Sequence, residues 1–251
     1  MIEVNALNVA LGHKPILKNI NLRWERPGLI ALIGLNGAGK STLLGALSGL
    51  KKPESGTVKI DGVDLKALSP RALSLKLALL PQTPPVLGRM RVVDLLEFGR
   101  FPYHQGRPDQ EDRKIIESTL LRFSLVDLRD RMMDTLSGGQ RQRVYIAMAF
   151  VQTTPHLLLD EPLNNLDMYH AYALMTLIHQ YTQAAKVMTV MVVHDINVAA
   201  RWADHVVGLK AGECRFEGHP KEVITKSNLA TLFDLDVDVI EHKGHPLVVP
   251  F

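Results

Sequence analysis

Apolar and polar positions follow two different rhythms along the chain. Residues 2–11 are rich in strand formers with imperfect alternation. After Gly12-His13-Lys14-Pro15, residues 16–24 resume with Leu17, Ile20 and Leu22 apolar. This pattern predicts a β-hairpin. Leu29-Ile30-Ala31-Leu32-Ile33 is a continuous apolar run, as expected of a strand buried on both faces, and residues 41–47 read as a helix. Thr57-Val58-Lys59-Ile60 is a short strand closed by the tight turn Asp61-Gly62. Ser69-Pro70 marks the start of a brief helix, with a capping hydroxyl and a proline where no helical N–H is needed. Leu77-Ala78-Leu79-Leu80 is a further buried strand ending at Pro81-Gln82.

From residue 83 to 152 the rhythm becomes helical. Val92, Val93, Leu95, Leu96 and Phe98 predict one helix, and Asp109 caps a second carrying Ile115, Ile116, Leu120 and Phe123. A third begins near Gly138 and carries Val144, Ala147, Met148 and Val151. Strand and helix then alternate again. Leu157-Leu158-Leu159 is a strand, 168–183 a helix, 187–193 a strand, and a helix runs through Ile196, Ala199 and Ala200. Residues 206–217 read as a hairpin around Ala211-Gly212, and the tail ends in a hairpin at Lys243-Gly244. Alternation on both sides of a helical stretch argues for a mostly parallel α/β core. The expected division is a single domain over 1–251. Within it, 1–82 and 153–218 form the α/β core with an N-terminal antiparallel β subdomain, 83–152 an inserted helical subdomain, and 219–251 a C-terminal tail.

Composition narrows this little. Of 251 residues, 46% are hydrophobic and 22% charged, ordinary for a globular protein, and the net charge of +3 with no block of like charge is a weak argument for nucleic acid. One cysteine, Cys214, cannot form an internal disulfide, which suits a reducing compartment. No apolar run approaches the roughly 20 residues that span a bilayer. The chain starts directly in strand-like sequence with no leader, so a cytosolic location is expected, with any membrane role supplied by partner chains.

Chemistry enters at Gly34-Leu35-Asn36-Gly37-Ala38-Gly39-Lys40-Ser41, which fits the Walker A phosphate loop G-x-x-x-x-G-K-[ST]. Strand, glycine loop and helix follow in the order that motif needs. The glycines allow backbone N–H groups to turn toward one concave side, and the helix dipole adds positive potential there. Gly34, Asn36, Gly37, Ala38, Gly39, Lys40, Ser41 and Thr42 are the candidate nucleotide-binding residues. Lys40 is placed to reach the β- and γ-phosphates and Ser41 to put a hydroxyl on Mg²⁺. Leu157-Leu158-Leu159-Asp160-Glu161 reads as a Walker B strand. Asp160 emerges at the carboxyl end of that strand, where open parallel sheets collect ligands, and is a candidate Mg²⁺ residue. Glu161, one residue on, is the candidate for polarising the attacking water.

Leu136-Ser137-Gly138-Gly139-Gln140 is the most informative string. Ser137 can cap a helix whose first amides two glycines leave uncovered, making a second anion site where one suffices for ATP. Walker A, L-S-G-G-Q and Walker B in this order resemble the ATP-binding subunit of an ABC transporter. The resemblance implies a P-loop NTPase (RecA-like) core and ATP with Mg²⁺ as cofactors. It also implies a head-to-tail homodimer in which each ATP lies between one copy's Walker A loop and Ser137, Gly138, Gly139 and Gln140 of the other. Gln82 resembles the glutamine that contacts Mg²⁺ or water and senses the γ-phosphate. Leu163-Asn164-Asn165-Leu166-Asp167 resembles the loop in which Asp167 couples the two sites. His194 resembles the switch histidine at the γ-phosphate. Glu161, His194, Lys40 and Gln82 are thereby the expected catalytic set, with Ser41, Gln82 and Asp160 at the metal. One departure stands out. Where the family usually stacks an aromatic on adenine, this chain has Leu11, followed by Gly12-His13.

Phe98-Gly99-Arg100-Phe101-Pro102-Tyr103, Pro162-Leu163-Asn164-Asn165-Leu166-Asp167-Met168 and His194-Asp195-Ile196-Asn197 resemble ATPases of iron–siderophore importers, a class that also takes up haem and cobalamin. Such a subunit would sit peripherally on the cytoplasmic face of the inner (plasma) membrane. Transmembrane permease subunits would be its direct partners, and a periplasmic or lipoprotein substrate-binding protein an indirect one. Residues 90–103 would form the groove for a permease helix. ABC-type ATPases that act on nucleic acid carry a long coiled coil between Walker A and the signature. The short interval here shows no sustained heptads, so no nucleic-acid partner is expected. Ten scattered histidines and one cysteine form no convincing metal site of their own.

Overall fold

The computed structural model describes residues 1–83, 89–164 and 166–249, so Asn165 of the string 163–167 lies outside the described residues. The chain opens with the hairpin β1 (Ile2–Leu11) and β2 (Lys14–Trp24), followed by β3 (Gly28–Ile33) and α1 (Lys40–Leu47). Next come β4 (Ser55–Ile60), β5 (Val63–Asp64), α2 (Pro70–Ser74) and β6 (Leu77–Leu80). Helices α3 (Val92–Gly99), α4 (Phe101–His104), α5 (Gln110–Arg122) and α6 (Gly138–Val151) follow. The alternating part comprises β7 (His156–Leu159), α7 (Met168–Ala185), β8 (Met188–Val192) and α8 (Ile196–Trp202). The chain closes with β9 (His205–Lys210), β10 (Glu213–Gly218), α9 (Pro220–Val223), α10 (Lys226–Phe233), β11 (Asp238–His242) and β12 (His245–Val249).

The first hairpin does not continue into the sheet of β3. It joins β4 and β5 in an antiparallel sheet of order β2-β1-β4-β5, while β3 sits inside a six-stranded sheet of order β10-β9-β3-β8-β7-β6. In the latter, β9, β3, β8, β7 and β6 run parallel and β10 closes the edge antiparallel. The imperfect alternation of residues 2–24 has a physical cause. Ala6 (φ 45°) and Asn19 (φ 47°) sit in the left-handed region, and the β1–β2 register shifts between Val4 and Leu7. Each irregularity resets which face points inward, so Ile2 and Val4 are buried, then Leu7 and Val9. Asparagine side chains supply the ladder bonds lost there. Asn21 Oδ1 accepts from Ala6 N at 2.8 Å, and Asn8 Oδ1 from Asn19 N at 2.9 Å.

Alternate residues of β3 feed two cores. Leu29, Ala31 and Ile33 face a helical layer of α3, α5, α6, α7 and α8, whereas Ile30 and Leu32 face α1 and the antiparallel sheet. Every residue of β3, β7 and β8 is buried, which is why their sequences are almost wholly apolar, broken only by the buried His156 and Thr189. Each fully buried leucine of this kind stabilises the fold by roughly 1.5–3 kcal/mol. The helical layer is pinned by a buried ion pair. Arg100 Nε donates to Asp112 Oδ1 at 2.9 Å, Arg100 Nη1 donates to Thr153 Oγ1 at 2.8 Å, and the guanidinium lies 3.8 Å from the Tyr103 ring centre. The tail docks on α8 through a reciprocal pair of bonds. Asn197 Nδ2 donates to Val248 O at 3.0 Å, and Val248 N donates to Asn197 Oδ1 at 2.8 Å.

Candidate active site

The carboxyl ends of β3, β6, β7 and β8 converge on one cleft of about 780 Å³. Loop 34–39 leaves β3 and enters α1 at Gly39, whose φ of 103° is left-handed and whose Cβ, if it had one, would lie 2.7 Å from Leu17 Cδ2. Gly34 is equally constrained, because a Cβ there would lie 2.1 Å from Leu209 O. Asn36, Gly37, Gly39, Lys40, Ser41 and Thr42 line one wall of the cleft. Gly34 and Ala38 do not line it. Ala38 is buried and ties the loop down, donating to Leu35 O and accepting from Gly212 N, each at 3.1 Å. The first turn of α1 presents N–H groups without intrahelical partners toward the cleft, and the helix dipole makes that end positive.

Lys40 is buried and its ammonium donates to Gly34 O at 2.8 Å and Leu35 O at 3.0 Å. Burial pushes its pKa down, opposed by the charges of Glu161 and Asp160. Ser41 Oγ donates to Asp160 Oδ1 at 3.0 Å. Asp160 stands at the end of β7, anchored by its own N–H on Leu80 O at 2.9 Å. Burial raises its carboxyl above the usual range, partly offset by the Ser41 hydrogen bond and reinforced by the neighbouring Glu161 charge.

Glu161 carries the clearest backbone signature in the cleft. Its φ of 53° is left-handed in a non-glycine residue, a strained conformation that persists only when its surroundings enforce it. Its carboxylate is enclosed by donors. Gln82 Nε2 donates to Oε2 at 2.7 Å, Asn164 Nδ2 donates to the same oxygen, and His194 Nε2 lies 2.6 Å from Oε1. Gln82, Glu161, Asn164 and His194 line the wall opposite the glycine loop. The outer end of the cleft is formed by Leu11, Lys14, Pro15, Ile16, Lys18 and Ala211, without an aromatic side chain. Leu11 is 46% exposed there, and His13 is not among the lining residues.

Two sequence-derived groups stand apart. Ser137 caps α6 through a capping box, its Oγ accepting from Gln140 N at 3.3 Å and its N–H donating to Gln140 Oε1 at 3.1 Å. That leaves the amides of Gly138 and Gly139 uncovered, with Gly138 exposed and Gly139 half-buried. Residues 137–140 do not line the cleft. Asp167 is also outside it, capping α7 by accepting from His170 N at 2.9 Å.

Sequence reading missed Asn164 and Gln142. Asn164 sat within a loop string with no role of its own, although an amide three residues after a carboxylate is within reach of it across a turn. Gln142 Nε2 donates to Pro162 O at 3.0 Å, so α6 grips the backbone one residue after Glu161. Only the contact itself reveals that link. In the expected groove at 90–103, Leu96 is core, whereas Phe98 (58% exposed) and Phe101 (50%) stand outward with ring centres 6.3 Å apart.

With the geometry in hand, known proteins place it. The ABC transporter family model matches residues 17–164, more than half of the chain. The petrobactin import ATP-binding protein YclP of Bacillus subtilis is 40% identical over 239 residues, covering 95% of each chain. The hemin import ATP-binding protein HmuV of Pseudomonas entomophila is 37% identical, covering 99% of each. Among solved structures, a transporter described as metal-chelate type in an inward-facing conformation superposes with a TM-score of 0.84 at 25% identity, covering 100% of this chain and 96% of that one. A dimeric ATP-binding cassette, MJ0796, in a post-hydrolysis state with ADP and Pi, gives 0.78 at 29% identity over 87% of this chain and 98% of that one. The P-loop fold, the nucleotide cleft and these matches agree, and the chain belongs to the ABC transporter family as an ATP-hydrolysing cassette.

Proposed function

We propose that this chain powers an importer of metal chelates, with an iron(III)–siderophore complex as cargo, and that it works as a pair of copies bound to a transmembrane permease. The observation that carries the pairing is the separation of residues 137–140 from the cleft that gathers Lys40, Ser41, Asp160 and Glu161. An uncovered helix N-terminus is an anion site, and within one chain it faces no phosphate. Head-to-tail pairing brings the Gly138 and Gly139 amides of one copy to the phosphates held by the other.

The cleft supports Mg²⁺. Ser41 Oγ and Asp160 Oδ1 are hard oxygen donors 3.0 Å apart, about the separation of neighbouring ligands around an octahedral ion with bonds near 2.1 Å. Gln82 gives its amide N–H to Glu161, which leaves its carbonyl oxygen as a third donor. Mg²⁺, when bound, neutralises phosphate charge. Lys40 exchanges its two carbonyl partners for phosphate oxygens, and the loop amides fix the triphosphate in line. Glu161 accepts a proton from, or orients, the attacking water. His194 holds the Glu161 carboxylate from one side while Gln82 and Asn164 hold it from the other. Catalysis is then mainly positioning and electrostatics. Asp167 couples the paired sites. Phe98 and Phe101 form the apolar surface on which a permease helix rests at the cytoplasmic membrane face, and no described helix is long and apolar enough to cross a membrane itself.

The iron–chelate reading is supported by relatives whose names specify petrobactin, siderophore and iron(3+)-hydroxamate import. A haem cargo is the second reading, supported by the hemin importer relative. The test is uptake of radiolabelled iron as siderophore and as haem into vesicles holding the chain, its permease and a substrate-binding protein. ATP-dependent entry of the siderophore complex supports the reading. Entry of haem alone selects the second, and entry of neither overturns both.

A further inference from the structure

A second cavity, of about 280 Å³, lies between the C-terminal end of α5, the first turns of α6 and one face of α7. It is near the small end of the range for ligand pockets, roughly 300–1,000 Å³. Its floor is apolar, from Phe123, Leu166, Leu174 and Leu177. Two guanidinium groups, Arg122 and Arg143, line the same space. Among the described residues neither has a carboxylate ion-pair partner, and Arg122 lies over the Tyr181 ring, 5.2 Å from its centre. The acid closest in sequence to the lining residues, Asp167, is spent on the N–H and ring of His170 and does not line the cavity. The positive end of the α6 dipole also opens here, since Gly139 is a lining residue. None of these groups lines the nucleotide cleft of its own chain, and of them only Gly139 is assigned to the phosphates of a paired copy.

We propose that this cavity binds a small amphipathic carboxylate, with its apolar tail against Phe123, Leu174 and Leu177 and its carboxylate between Arg122 and Arg143. A mostly apolar space with two unpaired guanidiniums favours an anion over a neutral or cationic ligand, because Arg–carboxylate forks are strong and directional. Occupancy bears on the cassette through its walls. A Cβ placed on Gly139 would lie 3.7 Å from Leu166 Cδ2, so the signature turn and the loop before α7 meet at this cavity. A bound ligand braces α6 against α7 and restrains the turn that carries Ser137 to Gln140.

The test is titration of the nucleotide-free chain with octanoate, octylamine and acetate, followed by calorimetry and by methyl NMR shifts of Leu166, Leu174 and Leu177. The expected result is saturable octanoate binding with shifts at those methyls, and none with octylamine or acetate. Arg122→Gln and Arg143→Gln should each weaken octanoate by about tenfold. Ala173→Phe, which fills the mouth from an exposed helix position without altering either charge, should abolish binding. Absence of saturable binding, equal binding of octanoate and octylamine, or octanoate affinity unchanged in both arginine variants would overturn the proposal. The readout needs no ATP, so it is independent of how the cassette hydrolyses nucleotide.

Discussion

The Nε2 atom of His194 lies 2.6 Å from Oε1 of Glu161, linking the second residue after β8 to the second residue after β7 across the mouth of the nucleotide cleft. With Gln82 and Asn164 on the other oxygen, the carboxylate is fixed from three elements at once. A carboxylate held so firmly, on a backbone in the left-handed region, is preorganised for the general-base role proposed for it, acting on a water delivered to it.

Glu161→Gln keeps the shape of the side chain but removes the charge and turns one of its two acceptor oxygens into a donor. Hydrolysis is expected to fall by about 10²- to 10⁴-fold while ATP-dependent pairing of copies survives. Steady-state phosphate release and sizing chromatography with ATP check this. Wild-type turnover in the variant would remove Glu161 from its assigned role.

Asn164 donates to the Glu161 carboxylate, and under the proposed mechanism it acts on the reaction through that bond. Asn164→Ala should lower kcat by about ten- to a hundredfold, the loss of one hydrogen bond to a charged group, and leave KM within about twofold. Asn164→Gln, which offers the same amide on a longer arm, should recover part of the rate. A change confined to KM would mean that Asn164 holds nucleotide instead.

The lower end of the sheet carries an acid-sensitive joint. His156, at the start of β7, is buried, and its Nε2 is 2.9 Å from Asp61 Oδ1, while Asp61 also pairs with Lys76 at 3.1 Å and the Met1 amino group at 2.9 Å. Burial pushes the His156 imidazole below its ordinary value of 6.5, more than the Asp61 hydrogen bond and charge raise it. Burial alone would raise Asp61, yet the hydrogen bonds from Met1, His156 and Lys76 outweigh it and hold that carboxyl well below the usual range. Both shifts have one sign. The unfolded chain binds the proton more readily in each case, so stability is full above about pH 6.5 and is lost as pH falls through the depressed histidine value and then below the ordinary carboxylate range. Urea midpoints at about pH 5.5 and 7.5 should differ in the wild type and differ less in His156→Gln.

Asp112→Ala strands Arg100 in the helical layer without its counter-charge. A loss of about 3–5 kcal/mol is expected from urea unfolding, because breaking one half of a buried pair leaves a desolvated charge. A change below about 1 kcal/mol would mean that Thr153, Tyr103 and the Val151 carbonyl, which accepts from Arg100 Nη1 at 3.3 Å, suffice to hold Arg100.

Local patterning was legible wherever a residue's neighbours in sequence decide its structure. Leu77 to Leu80 forms a strand, and Ser69, Asp109 and Ser137 cap helices, as their side chains and apolar spacing anticipate. The cleft residues Lys40, Ser41, Asp160, Glu161, Gln82 and His194 were legible because each follows a strand in a parallel sheet, which brings strand ends together. What stayed hidden depends on distant partners. That β1 pairs with β4, Asn5 opposite Thr57, is a choice between sheets that no local pattern encodes. The bulges at Ala6 and Asn19 surfaced only as broken alternation. The left-handed turn at Glu161 and the Asn164 bond follow from packing around residues 160–164, not from residue type.

The pairing of copies is the claim on which the rest depends, and one cross-linking measurement addresses it. In a Cys214→Ser, Glu161→Gln background, Asn36→Cys in the glycine loop and Ser137→Cys in the signature turn are introduced together and oxidised with and without ATP. Head-to-tail pairing predicts a disulfide between chains, seen as a band at twice the chain mass that forms only with ATP. A disulfide within single chains, or no ATP-dependent cross-link at all, would contradict a site shared between two copies.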